Sequence, residues 1–137
     1  MIIYCGGTFD LFHSGHVNFL RQCANLGKVA IALNTDEFVS SYKGKAPIMT
    51  YSEREKVLLS CKYVHCVVPN LSNQDSKPTI LKVKPDVIAI GTDWMGKDYY
   101  AQMGFTQEWL DKHNIVLVYV PYTLNISTTQ LKQRINK

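Results

Sequence analysis

Ile2-Ile3-Tyr4-Cys5, then Gly6-Gly7-Thr8-Phe9-Asp10-Leu11-Phe12, then His13-Ser14-Gly15-His16 and a helical run from Val17 to Leu26, form the stretch that decides how this chain folds. Four apolar or aromatic residues running into paired glycines predict a buried strand that ends abruptly. Gly6 and Gly7 let the backbone turn tightly and come close to a ligand. His13 and His16 flank a Ser-Gly step at the mouth of the next helix, where unpaired backbone N–H groups favour an anion. Strand, glycine turn, two imidazoles and helix start together make a place where a phosphate can sit and react.

Outward from that stretch, strand and helix patterns alternate. Val17, Leu20, Cys23, Ala24 and Leu26 recur at helical spacing, with Gly27 as the stop. Residues 28–33 are nearly continuously apolar, as suits a parallel strand buried on both faces. Asn34-Thr35-Asp36 supplies turn and cap chemistry for a short helix through Val39, and residues 40–47, with Lys43 and Lys45, read as a mobile loop. The next helix begins near residue 50, where both Thr50/Glu53 and Ser52/Glu55 have capping-box spacing. Strands are expected over 64–68, 86–90 and 115–120. Helices are expected over 74–83 and 105–113, residues 126–129 lead into a last helix through Leu131 and Ile135, and 95–104 reads as irregular. This alternation predicts an α/β fold: a Rossmann-like, doubly wound, five-stranded parallel sheet in a single domain over 1–137. Such sheets bind ligands outside the carboxyl ends of their strands, near the switch in strand order. The unusual residues fall in those turns.

Composition narrows the function. The chain has 137 residues, 46% hydrophobic and 19% charged, with a net charge of +4. That mild excess suits a small polyanion such as a nucleotide, and it lacks the dense Lys/Arg runs of a DNA or RNA binder. No apolar run approaches the roughly 18 residues of a membrane span, and no signal-like pattern opens the sequence. A cytoplasmic protein is expected. Cys5, Cys23, Cys61 and Cys66 show no metal or redox spacing and read as free thiols.

Each candidate site residue has a chemical use and a structural alternative. His13 and His16 can donate to phosphoryl oxygens from either ring nitrogen, although one of them could simply cap the helix. A His-x-x-His metal pair lacks the carboxylate or cysteine that would complete a tetrahedron, so no protein metal site is expected. Ser127, Thr128 and Thr129 precede the last helix, where hydroxyls and bare N–H groups can hold phosphate, or Ser127 can act as an N-cap alone. Lys43 and Lys45 can close over a triphosphate or remain a solvated pair. Asp93 can accept from an exocyclic amine, while Trp94 can stack on a ring or pack.

GGTFDLFHSGH, with NTDEF, KGKA, TYSEREK, KYVHCVVP, GTDWMGKDY and NISTTQLKQRI, resembles the nucleotidyltransferase superfamily that carries the His-x-Gly-His signature. Within it, the resemblance is greatest to the glycerol-3-phosphate cytidylyltransferases and extends over essentially the whole chain. It implies attack by a substrate phosphate on the α-phosphorus of CTP, giving CDP-glycerol and pyrophosphate for cell-envelope or surface-polymer synthesis. No covalent enzyme intermediate is implied, so the protein positions and stabilises charge. The resemblance assigns catalytic roles to His13, His16, Lys45 and Arg54, with Arg54 near the acceptor phosphate. It assigns nucleotide binding to Gly7, Thr8, Phe9, His13, His16, Lys43, Lys45, Asp93, Trp94, Ser127, Thr128 and Thr129. It also implies Mg²⁺ or another divalent cation held mainly through the triphosphate, and a homodimer. The chain departs from the family where Tyr122-Thr123-Leu124-Asn125 replaces an Arg-Thr-Glu-Gly segment, and at Lys62 and His65 in place of arginine and aspartate. A superfamily adenylyltransferase acting on a heptose phosphate, FMN or pantetheine phosphate is therefore the alternative. A non-catalytic nucleotide-binding protein is the alternative of a different class.

Overall fold

In the computed structural model, which describes residues 1–71, 75–92, 99–124 and 126–136, five parallel strands form one sheet. They are β1 (Ile2–Gly7), β2 (Lys28–Asn34), β3 (Cys66–Asn70), β4 (Val87–Gly91) and β5 (Val116–Val120), in the order β3-β2-β1-β4-β5. The helices are α1 (Ser14–Ala24), α2 (Asp36–Lys43), α3 (Tyr51–Leu59), α4 (Lys77–Val83), α5 (Tyr99–Met103), α6 (Gln107–Lys112) and α7 (Thr128–Ile135). Strand order reverses between β1 and β4, so the doubly wound expectation holds, and the switch point lies where the glycine turn leaves β1.

Period-two alternation divides the core between the two faces of the sheet. Ile3, Cys5, Val29, Ile31 and Leu33 pack with Phe19, Leu20 and Cys23 of α1 and with Leu58 of α3. Tyr4, Ala32, Ile88 and Ile90 pack on the other face with Ile80 of α4 and with Phe105, Leu110 and Ile115 around α6. β1 and β2 are buried on both sides, as their unbroken apolar runs require. The four cysteines are free, and Cys5 and Cys23 meet in the core with sulfurs 3.7 Å apart. Among the described residues no helix is long and apolar enough to cross a membrane.

Several boundaries differ from the sequence expectation for physical reasons. The expected loop at 40–47 begins with a helix: α2 continues to Lys43 and ends on Gly44, whose φ of 80° gives the left-handed C-cap. Of the two capping boxes, α3 uses Thr50 with Glu53. β3 runs through Pro69, which is tolerated because β3 is an edge strand. α4 starts at Lys77 with Pro78 in its first turn, and α5 occupies part of the stretch expected to be irregular.

Candidate active site

The turn after β1 is held in an uncommon shape. Phe9 and Leu11 have φ of 51° and 49°, left-handed values that L residues occupy at a cost. Gly7 is needed beside them, because a Cβ there would lie 2.9 Å from the Phe9 ring. Asp10 fixes the turn. Its carboxylate accepts from the N–H groups of Leu11 (3.1 Å), Ile48 (2.8 Å) and Met49 (3.0 Å). Its carbonyl accepts from Thr128 Oγ1 at 2.6 Å, and Lys132 Nζ stands 4.0 Å from the carboxylate. One buried aspartate thus ties the signature turn to the loop carrying Lys45 and to the start of α7.

The two histidines form a reciprocal cap on α1. His13 Nδ1 accepts from Gly15 N at 3.1 Å, and His16 Nδ1 accepts from His13 N at 3.2 Å. In the neutral rings both protons therefore sit on Nε2, the nitrogen that the cap leaves unused. The rings stack with centroids 3.7 Å apart, and His13 Nε2 is buried with no partner among the described residues. Gly15 makes the stack possible: a Cβ there would lie 2.9 Å from His13 Cε1 and 3.1 Å from Ile126 Cγ2. Burial lowers the pKa of both rings; burial first, then the neighbouring His13, brings His16 to about 3. Both are neutral donors at pH 7, and the cap role and the donor role are compatible.

A cavity of about 570 Å³ opens above this turn. Gly7, Thr8, Phe9 and His16 form one wall, Ser127 and Thr128 another, and Lys43 and Lys45 face them. The His16 imidazole and the α7 hydroxyls, about 110 residues apart in sequence, therefore line one space. Ser127 also caps α7 by accepting from Gln130 N at 3.1 Å. His13, stacked on His16, is not among the residues that line the cavity, nor is Thr129, which is exposed. Asp93 and Trp94 lie outside the described residues.

Arg54, which the resemblance puts near the acceptor phosphate, is held in the interior. It is 1% exposed and does not line the cavity. Nε donates to Met49 O at 3.0 Å; Nη1 donates to Thr8 O (2.9 Å) and Asn34 O (2.8 Å); Nη2 donates to Asp36 Oδ1 at 2.7 Å. Three of its five N–H groups tie together three backbone segments, and a fourth goes to Asp36.

Sequence reasoning overlooked Asp10, Lys132, Asn34 and Asn70, all of which line the cavity. Lys132 was legible, since it stands one helical turn after Thr128 and so shares its face. Tyr122, from the segment that departs from the family, also lines the cavity.

Comparison with known proteins gives this geometry a family. Residues 4–134 match the family model described as Cytidylyltransferase-like. The chain is 35% identical to the glycerol-3-phosphate cytidylyltransferase of Bacillus subtilis, over 94% of this chain and 92% of that one. It is 39% identical to the FAD synthase of Pyrococcus horikoshii, over 66% and 62% respectively. Among solved structures, the lipopolysaccharide core biosynthesis protein from Thermoplasma volcanium superposes with a TM-score of 0.70 at 25% identity, covering 90% of this chain and 96% of that one.

Proposed function

The chain belongs to the cytidylyltransferase-like family and is a nucleotidyltransferase; from that premise we propose that it transfers CMP from CTP to a small phosphorylated polyol, with glycerol 3-phosphate as the acceptor. The observation that carries this reading is the shared cavity wall of His16, Lys43, Lys45, Ser127 and Thr128. Three chemically different phosphate-binding devices meet there: neutral N–H donors, ammonium groups and a hydroxylated helix start.

In the proposed reaction an acceptor phosphate oxygen forms a bond to the α-phosphorus, the bond from that phosphorus to the bridging oxygen breaks, and pyrophosphate leaves. A phosphate monoester is largely dianionic at pH 7, since its second pKa is about 6, so no general base is needed. Neutral histidines suit that requirement. Nε2–H of His16, supported by the His13 ring stacked on it, donates to the oxygens on which charge gathers, and one such donor is typically worth about 3 kcal/mol. Lys43 and Lys45 neutralise the departing pyrophosphate, and Ser127, Thr128 and Lys132 hold the phosphate chain at the start of α7. Asp10 and Arg54 keep these groups in register.

The wall chemistry fits a divalent cation that arrives on the nucleotide. It is rich in lysine and hydroxyl groups, and the Asp10 carboxylate already accepts three backbone N–H groups. Mg²⁺ held by the phosphate oxygens would supply charge neutralisation there. A homodimer belongs to the same proposal and is tested by sedimentation velocity.

Adenylyl transfer is the second reading. Tyr122 stands in the wall within the segment where cytidylyltransferases carry an arginine, and the FAD synthase likeness points the same way. Purified protein incubated with Mg²⁺, an equimolar mixture of CTP and ATP, and a panel of phosphates tests both. Mass spectrometry is expected to show CDP-glycerol with release of pyrophosphate. Products carrying AMP would replace the cytidylyl reading with the adenylyl one.

A further inference from the structure

Past the phosphate-binding turn, the cavity continues along the carboxyl ends of β1, β2 and β3, where side-chain amides cross from strand to strand. Asn34 Nδ2 donates to Thr8 Oγ1 at 3.1 Å, and Asn70 Nδ2 donates to Asn34 Oδ1 at 3.0 Å. Asn70 Oδ1 ends the relay, buried and without a hydrogen-bond partner among the described residues. Asn34 is 8% exposed and Asn70 4%, and both line the cavity. A buried amide with an unmatched polar atom is costly to keep unless a ligand completes it. Turning both amides around moves the unmatched atom from Oδ1 to Nδ2 without removing it. A hydroxyl both donates and accepts, so it completes the relay in either sense.

Direction decides which substrate brings that hydroxyl. α7, whose first residues line the phosphate-binding wall, follows β5 at one edge of the sheet; the relay leads from Thr8 toward β3 at the other edge. Two strand spacings, roughly 10 Å, separate Thr8 from Asn70. That is the reach of a three-carbon phosphate with its terminal hydroxyl and one hydrogen bond. We propose that Asn70 is a specificity-determining residue that reads a hydroxyl on the acceptor, so that this end of the cavity selects phosphorylated polyols over alkyl phosphates. The inference rests on the transfer reading for the assignment of this end to the acceptor.

The test is equilibrium binding, independent of turnover. The full chain holding Mg²⁺ and an α,β-methylene analogue of CTP is titrated calorimetrically with glycerol 3-phosphate and with propyl phosphate, which lacks both free hydroxyls. Wild type is expected to prefer glycerol 3-phosphate by roughly 10- to 100-fold. In Asn70→Leu and in Asn70→Ala the ratio is expected to fall below about threefold. Thermal melts show which variant is folded; should neither fold, Asn70→Ser removes the reaching carboxamide while staying polar, and the same fall in the ratio is expected there, an unchanged ratio overturning the inference. No preference in wild type, or one unchanged in the folded Leu or Ala variant, overturns the inference. A preference that moves instead between CTP and 2′-deoxy-CTP puts the ribose at Asn70 and also overturns it. Absence of pyrophosphate release with every acceptor would sink the transfer reading, while the binding ratio would still decide what Asn70 reads.

Discussion

Replacing Arg54 by methionine separates two incompatible roles for the most buried cation among the described residues. Methionine keeps much of the volume and removes every N–H donor. Three backbone carbonyls, of Thr8, Asn34 and Met49, then lose their partner in an interior where Arg54 is 1% exposed. Each unmatched acceptor costs about 1–3 kcal/mol, and the three do not add fully. The Asp36 ion pair contributes little, because the Asp36 side chain is 36% exposed. A net loss of about 4 kcal/mol follows, in the range seen when a buried charge network is broken. At about 2.1 cal/mol/K per residue, the 137 residues give an unfolding entropy of about 0.3 kcal/mol/K, so Tm falls by about 14 °C. Arg54→Lys recovers only part of the loss, since one ammonium cannot reach acceptors on three segments. Differential scanning calorimetry reads the shift directly. A melt within about 3 °C of wild type, together with a large rise in acceptor KM, would refute the positioning role and return Arg54 to the acceptor phosphate.

Three further outcomes follow from the same geometry. His16 has a folded pKa of about 3 against an ordinary 6.5, so the folded chain binds fewer protons than the unfolded one between those values. Its contribution to stability is complete above pH 6.5 and is lost as pH falls toward 3, on the order of 2 kcal/mol by pH 5; urea titrations should show this slope reduced in His16→Asn. Gly15→Ala pushes a methyl group against the His13 ring and Ile126, and is expected to lower kcat roughly tenfold or more, with a smaller change in CTP affinity. Lys132→Ala is expected to weaken CTP binding by roughly tenfold, and the difference from wild type should shrink as salt is raised, as calorimetry at two ionic strengths would show.

Much of the fold was legible because it is written in short-range pattern. The unbroken apolar runs of β1 and β2, the glycine turn and the cap residues Thr35, Thr50, Thr106 and Ser127 each act within a few positions, and each does in the structure what its neighbours imply. Two local pieces of the candidate site were legible for the same reason: His13 to His16 is a local cap, and Ser127 opens a local helix. What escaped depends on tertiary partners. Nothing near Arg54 announces that its guanidinium turns under the sheet edge to carbonyls 46 and 20 residues away. Asp10 looks like one more turn residue until the backbone of Ile48 and Met49 folds onto it. Asn34 and Asn70 acquire meaning only through the parallel register that places them side by side. The end of α2 was misjudged because a polar helix face and a polar loop have the same composition, and only Gly44 marks the boundary.

The central claim is that the imidazoles of the signature turn act on the phosphates of a nucleotide bound between that turn and α7. Steady-state pyrophosphate release from CTP and glycerol 3-phosphate, measured for wild type and His16→Ala with CTP affinity measured alongside, tests it most directly. The account predicts turnover lowered by roughly 10²- to 10³-fold, with nucleotide affinity changed far less. Wild-type turnover in His16→Ala would contradict it.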